Sequence, residues 1–175
     1  MNITNIKVGY LECNCYILEN NNQVLIVDPG DEYNKIKPHL KDKEVLGILI
    51  THGHFDHVGA IDDIINDYKT KVYTFNNLKE QPYNIGPFNF EVIYTPGHSI
   101  DSITFYFKEE NIMFVGDFIF YDTIGRCDLE GGDYSTMKLS INKIKKYNKN
   151  TTIYPGHSIK TTLERELNNN PYFNI

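Results

Sequence analysis

The chain has 175 residues, 41% of them hydrophobic and 23% charged, enough for one domain with a sizeable buried core. Its net charge of −6 and the lack of a basic run argue against nucleic acid as a partner, because phosphate backbones demand a positive surface. No apolar stretch approaches the roughly 20 residues that span a bilayer, and MNITNIKVGY has no basic-then-apolar leader, so a cytoplasmic protein without a membrane partner is expected.

In chain order, residues 15–19 and 23–30 read as a hairpin about Asn20-Asn21-Asn22. A short helix is expected over 32–41, and the continuous apolar run at 45–51 reads as a buried strand. A helix follows over 56–68, with Ile61, Ile64, Ile65 and Tyr68 at helical spacing. Residues 71–75, 88–96, 102–107 and 111–117 read as strands. Met137, Ile141 and Ile144 mark an amphipathic helix over 134–147. A last strand and turn occupy 151–157, and a final helix runs over 161–169 before Pro171. Strands interleaved with helices predict sheets covered by helices, α/β or α+β, in a single domain of residues 1–175.

The chemistry concentrates at Thr51-His52-Gly53-His54-Phe55-Asp56-His57, just past an apolar strand. Half of the chain's six histidines fall here, which a random surface turn would not produce. Imidazole and carboxylate together are the donors that zinc, iron and manganese accept. One arrangement then recurs: a β-type run, a glycine, and a candidate ligand. It brings His98 after Gly97, Asp117 after Gly116 and His157 after Gly156. Glycine at such a position lets the backbone turn sharply against a bound group. His39 stands outside the constellation and reads as a helix-surface residue. Three cysteines, Cys13, Cys15 and Cys127, do not make a disulfide framework. Cys13-Asn14-Cys15 has the donors of a soft metal site, but Cys15 lies in an alternating strand pattern and reads better as a small core residue.

The order His52-x-His54-x-Asp56-His57, His98, Asp117, His157 resembles the ligand set of the metallo-β-lactamase superfamily. Asp28-Pro29-Gly30, Thr95-Pro96-Gly97-His98, Gly125-Arg126-Cys127-Asp128-Leu129 and the closing Thr161-Thr162, Glu166 and Asn170-Pro171 are similar to its short glyoxalase II-like branch. The resemblance implies a four-layer αββα sandwich with the site at one edge. It implies one metal on His52, His54 and His98, and a second on Asp56, His57 and His157. Asp117 would bridge them, with a hydroxide nucleophile between, and Asp56 and Asp117 would be the catalytic carboxylates. Two divalent ions are expected, zinc first, with iron or manganese accepted by the same donors. An aspartate at 117 favours the glyoxalase II type, and hence hydrolysis of a small-molecule thioester such as S-lactoylglutathione. A mononuclear-iron persulfide dioxygenase, which shares much of the motif, is the alternative.

Several residues keep two readings. Asp28 either orients a ligand histidine or merely ends a strand. Arg126 either meets a substrate carboxylate or closes an ion pair with Asp128. Tyr121 lines the substrate pocket or packs in the core. Asp101 departs from the branch, which favours glycine there, and either repels anions near the site or faces solvent. Full-length glyoxalase II enzymes use a C-terminal helical region for glutathione, whereas residues 158–175 leave room for one helix.

Overall fold

Alternation along the strands sorts side chains onto two faces, and each face feeds a different core. The computed structural model describes residues 1–174. In β2 (Cys13–Asn20), Tyr16 and Leu18 join one core while Cys15 and Ile17 join another. β3 (Gln23–Val27) divides in the same way, Leu25 and Val27 against Val24 and Ile26. With β1 (Asn2–Val8), β4 (Glu44–Leu49) and β5 (Val72–Tyr73) these strands form a five-stranded sheet in sequential order.

The second sheet contains β6 (Pro82–Ile85), β7 (Phe88–Tyr94), β8 (Ile103–Phe107), β9 (Ile112–Gly116), β12 (Thr152–Pro155) and β13 (Thr161–Thr162). Its order is β13-β12-β9-β8-β7-β6. A separate hairpin joins β10 (Ile119–Phe120) to β11 (Thr123–Ile124). Leu25 and Leu49 meet Phe90, Phe105 and Phe114 between the two sheets. Outside the first sheet, Ile36 of α1 (Tyr33–Ile36) and Ile64 of α3 (Ile61–Tyr68) pack on Ile26 and Ile48. Outside the second, Met137 and Ile141 of α4 (Tyr134–Ile144) and Leu163 of α5 (Leu163–Asn169) cover Val115 and Ile153. The result is the αββα sandwich that the resemblance implies. No helix among the described residues is long and apolar enough to cross a membrane.

Most predicted elements are present with shorter bounds, and four differ in kind. The helix expected over 56–68 is two: α2 (Phe55–Val58) and α3. Gly59 and Ala60 donate their N–H groups to Gly30 O at 2.8 Å and Pro29 O at 2.9 Å, so the strand-end loop takes bonds that a continuous helix would keep. The helix expected over 32–41 becomes α1 and a 3₁₀ turn, Lys37–Leu40, around Pro38. The strand expected over 23–30 ends at Val27, because Asp28 takes a left-handed φ of 49°. Thr161 and Thr162 pair with β12 rather than opening the last helix, and Thr162 caps that helix by accepting from Arg165 N at 3.2 Å.

Phe105 and Phe114 are fully buried between the sheets, whereas Leu139 is 70% exposed. Phe114→Ala should lower unfolding free energy in denaturant by about 3–5 kcal/mol. Leu139→Ala should change it by less than about 0.5 kcal/mol.

Candidate metal centre

Parallel pairing brings the candidate ligands to one end of the sandwich. β3 and β4 run parallel, as do β9 and β12, and β7 shares their direction through antiparallel β8. The loop after β4 carries His52 and His54, and α2, which follows it, carries Asp56 and His57. His98, Asp117 and His157 follow β7, β9 and β12. Ile103 N donates to Thr51 O at 2.8 Å, tying one sheet to the other beside these loops.

The seven side chains converge in two groups. His54 Nδ1 lies 3.1 Å from His52 Nε2 and 2.9 Å from His98 Nε2. Three ring nitrogens that close, from three separate imidazoles, can share one cation. In the second group His157 Nε2 is 3.1 Å and His57 Nε2 is 3.7 Å from Asp56 Oδ2. Asp117 faces both groups: Oδ1 lies 3.4 Å from His57 Nε2, and Oδ2 lies 3.6 Å from both His98 Nε2 and His157 Nε2. His57 Nε2 and Asp117 Oδ1 are buried without a hydrogen-bond partner in the protein. Buried polar atoms left in this state are costly, and a cation between them would satisfy both. A Cβ at Gly156 would collide with Asp117 Oδ1 and His57 Cε1, so glycine there keeps the space beside them clear. These observations fit a metal pair on the seven residues.

The outer nitrogens are pinned in turn, which fixes the rings and turns their free nitrogens inward. His57 Nδ1 donates to Asp28 Oδ2 at 3.0 Å, His98 Nδ1 to Arg126 O at 2.8 Å and His157 Nδ1 to Leu11 O at 2.9 Å. His52 Nδ1 donates to Thr51 Oγ1 at 3.1 Å, and that hydroxyl donates onward to Asp28 Oδ2 at 2.7 Å. Thr51 N completes the set on Asp28 Oδ1 at 2.8 Å. Asp28 thus contacts the His57 ring directly and the His52 ring through Thr51 Oγ1.

Charge is arranged to suit cations. Burial and the neighbouring His57 lower the pKa of His52, leaving its lone pair available. Burial also works against charge on Asp117, but His57, His52 and His157 outweigh it and hold the carboxyl well below the usual range. For His57, burial disfavours the imidazolium, yet Asp28 and Asp117 prevail and raise its pKa well above the ordinary histidine value.

The other predicted residues sort as follows. Arg126 stands at the cleft but is 61% exposed, and its fork is engaged by Asp128 at 2.7 and 2.9 Å. The ion-pair reading is thus realised. Tyr121 is not among the residues lining the cleft over the ligands; the Arg165 guanidinium lies 3.6 Å from its ring centroid instead. Asp101 neither hangs free nor faces the substrate side: it accepts from Gly53 N at 2.9 Å and Ser99 Oγ at 2.7 Å, bracing the His52–His54 loop. Cys13 touches the outer edge of His57, with Sγ 3.6 Å from Nδ1, and burial raises its thiol to about 11. Cys15 is a core residue. Buried Glu166 accepts from Asp122 N, Thr161 Oγ1 and Asn170 Nδ2, so the C-terminal motif clamps the β10–β11 hairpin.

Two wall residues escaped the sequence reading: Leu11 and Phe55. With Leu129 they flank a cleft of about 540 Å³ whose floor carries His54, Asp56, His98, Asp117 and His157. Phe55 sits between two ligands in the chain, a signal that was available. The role of Leu11 runs partly through its backbone carbonyl, which leaves no mark on side-chain identity.

The chain belongs to the metallo-beta-lactamase superfamily, whose family model matches residues 8–88 and 80–157. It is 34% identical to the probable metallo-hydrolase YqgX of Bacillus subtilis, covering 97% of this chain and 96% of that protein. It is 30% identical to the hydroxyacylglutathione hydrolase GloC of Haemophilus influenzae, covering 99% of each. Among solved structures, the B3 metallo-beta-lactamase BLEG-1 superposes with a TM-score of 0.93 at 32% identity, over 98% of this chain and 99% of that one. TTHA1623 in a di-iron-bound form gives 0.88 at 29% identity, over 97% and 99%.

Asp28→Asn keeps a residue that tolerates left-handed φ while removing the charge that fixes His57. Metal affinity measured by chelator competition should fall about 10- to 100-fold. Protons compete with metal for His57, and its pKa is raised. Affinity should therefore already decline as pH is lowered from above about 6.5, the unperturbed histidine value. Titration of metal release against pH checks this.

Proposed function

We propose that the protein is a dinuclear metal-dependent hydrolase of small acyl thioesters, with S-lactoylglutathione-like compounds the first class to assay. The observation that carries the reading is the placement of Asp117, one carboxylate facing both ligand groups at 3.4–3.6 Å. The superfamily membership and the relative named as a hydroxyacylglutathione hydrolase support the substrate class. The nitrogen and oxygen donors suit zinc, iron or manganese, and a solved neighbour is a di-iron form; zinc is our first choice.

Two divalent ions held by these residues would lower the pKa of bound water to about 7 and polarise a carbonyl. The chain's own groups do the rest. Asp56 lines the cleft, and although burial opposes its charge, His157 and His57 keep its pKa low. It is thus ionised at neutral pH, the form in which a carboxylate binds a divalent cation. The carbonyls of Arg126 and Leu11 and the carboxylate of Asp28 hold the rings against rotation as charge builds. A thiolate leaves without needing the protonation that an amine requires, and the chain places no serine or cysteine nucleophile at the cleft floor.

Metal content and S-lactoylglutathione hydrolysis should be measured on one purified sample. Two metals per chain with turnover is the expected result. Asp117→Ala should lower kcat by at least about 100-fold, the scale of losing a group that supports developing charge. Unchanged turnover in that variant would refute the bridging role. A single iron with sulfite formation from a glutathione persulfide would replace this reading with the dioxygenase.

A further inference from the structure

The walls of the cleft are unusually apolar for an exposed surface. Phe55 is 77% exposed, Leu11 48% and Leu129 41%, and all three border the ligand cleft. Scattered exposed apolar residues need no account, but a cluster at a concave site does. Leu11 and Phe55, with Asp56, also line an adjoining pocket of about 380 Å³. Its walls include Gly9, Gly30 and the ring of Tyr10, which is 99% exposed. The metal cleft thus continues across an apolar ridge into a second hollow.

The charges around this path point the same way. Arg126 is the only lysine or arginine among the described residues that line the cleft, and Asp128 already holds its fork. A substrate carboxylate would have to displace Asp128, which would stay near enough to repel it. The adjoining hollow is lined by two carboxylates, Asp31 and Asp56, and by no lysine or arginine among the described residues. Glutathione carries carboxylates on its thiol side, and among the described residues neither hollow is lined by a lysine or arginine free of a carboxylate partner.

Resting on the thioesterase reading, we infer that the ridge of Leu11 and Phe55, with Leu129 opposite, is a specificity site for an apolar, uncharged substrate arm. The preferred substrates would be acyl thioesters whose acyl chain lies over the ridge and whose thiol half is neutral. Hydrolysis breaks the C–S bond, forms a C–O bond from water, and releases a carboxylic acid and a thiol, with no redox partner. Arg126 and Asp128 then act together as a neutral rim rather than as an anion clamp.

The test uses the metal-loaded full chain and four matched thioesters: acetyl and hexanoyl groups, each on glutathione and on N-acetylcysteamine. The hexanoyl ester of N-acetylcysteamine should give the highest kcat/KM, by about tenfold over its acetyl counterpart and over hexanoyl-glutathione. Leu11→Ser should cut the hexanoyl-to-acetyl ratio by about tenfold, since its side chain forms the ridge while its carbonyl still holds His157. Phe55→Ser should do the same, with metal content measured to show that the flanking ligands are intact. Asp128→Asn should narrow the gap between the two thiols by freeing Arg126. Binding of N-(2-acetamidoethyl)hexanamide, the amide analogue of the hexanoyl ester of N-acetylcysteamine, gives a readout independent of thioester turnover; it should bind the parent chain and not Leu11→Ser. A flat series, a preference for the glutathione esters, or a dimer that the ridge substitutions dissociate would overturn the inference. Amide binding without turnover of any thioester would instead sink the thioesterase reading and leave the apolar site standing.

Discussion

The whole centre hangs on one buried carboxylate. Asp28 is 2% exposed and sits in a backbone conformation that few residues other than glycine and asparagine accept. From there it receives the Thr51 amide, the Thr51 hydroxyl and the His57 ring. A buried charge without partners would be ruinous to stability, so these partners are held as firmly as they hold it. Thr51 in turn positions His52, and Asp28 thereby fixes rings in both ligand groups. Removing its charge leaves the donors present but free to turn away.

The same logic extends outward in a different currency. His98 and His157 are oriented by main-chain carbonyls, Arg126 O and Leu11 O, rather than by side chains. Glycines set the distances: Gly116 turns with a φ of 55° just before Asp117, and a Cβ there would strike Thr51. Sheet pairing, loop turns and ring orientation thus agree on one geometry before any ligand arrives. Such preorganisation is what makes charged donors effective in a water-poor site.

The seven residues that converge were legible because they combine rare types with fixed chain neighbours: His52 to His57 close together, and a glycine before each of His98, Asp117 and His157. The four layers were legible from alternation, as in Leu25/Val27 against Val24/Ile26. β1 was not. Its Ile3 packs in the core between the sheets while Ile6 packs in the outer core, so no simple alternation marks the strand. β6 is a short edge strand that begins at Pro82, and β10 and β11 are two residues each, too brief for any period to register. Arg126 and Asp101 illustrate a further limit. Their residue types announce charge, but only the fold pairs Arg126 with Asp128, one of two readings the sequence left open, and shows Asp101 accepting from Gly53 N.

The candidate ligands do not come from one half of the chain. His52, His54, Asp56 and His57 leave the five-stranded sheet, whereas His98, Asp117 and His157 leave the six-stranded one. Any ion held between them is consequently a cross-link between the layers as well as a reagent. It binds the folded chain far better than an unfolded one whose donors are scattered, so free metal draws the folding equilibrium toward the native state. Occupancy and resistance to unfolding rise together, and a cell's supply of the metal then governs how long each copy survives proteolysis as well as how fast it works.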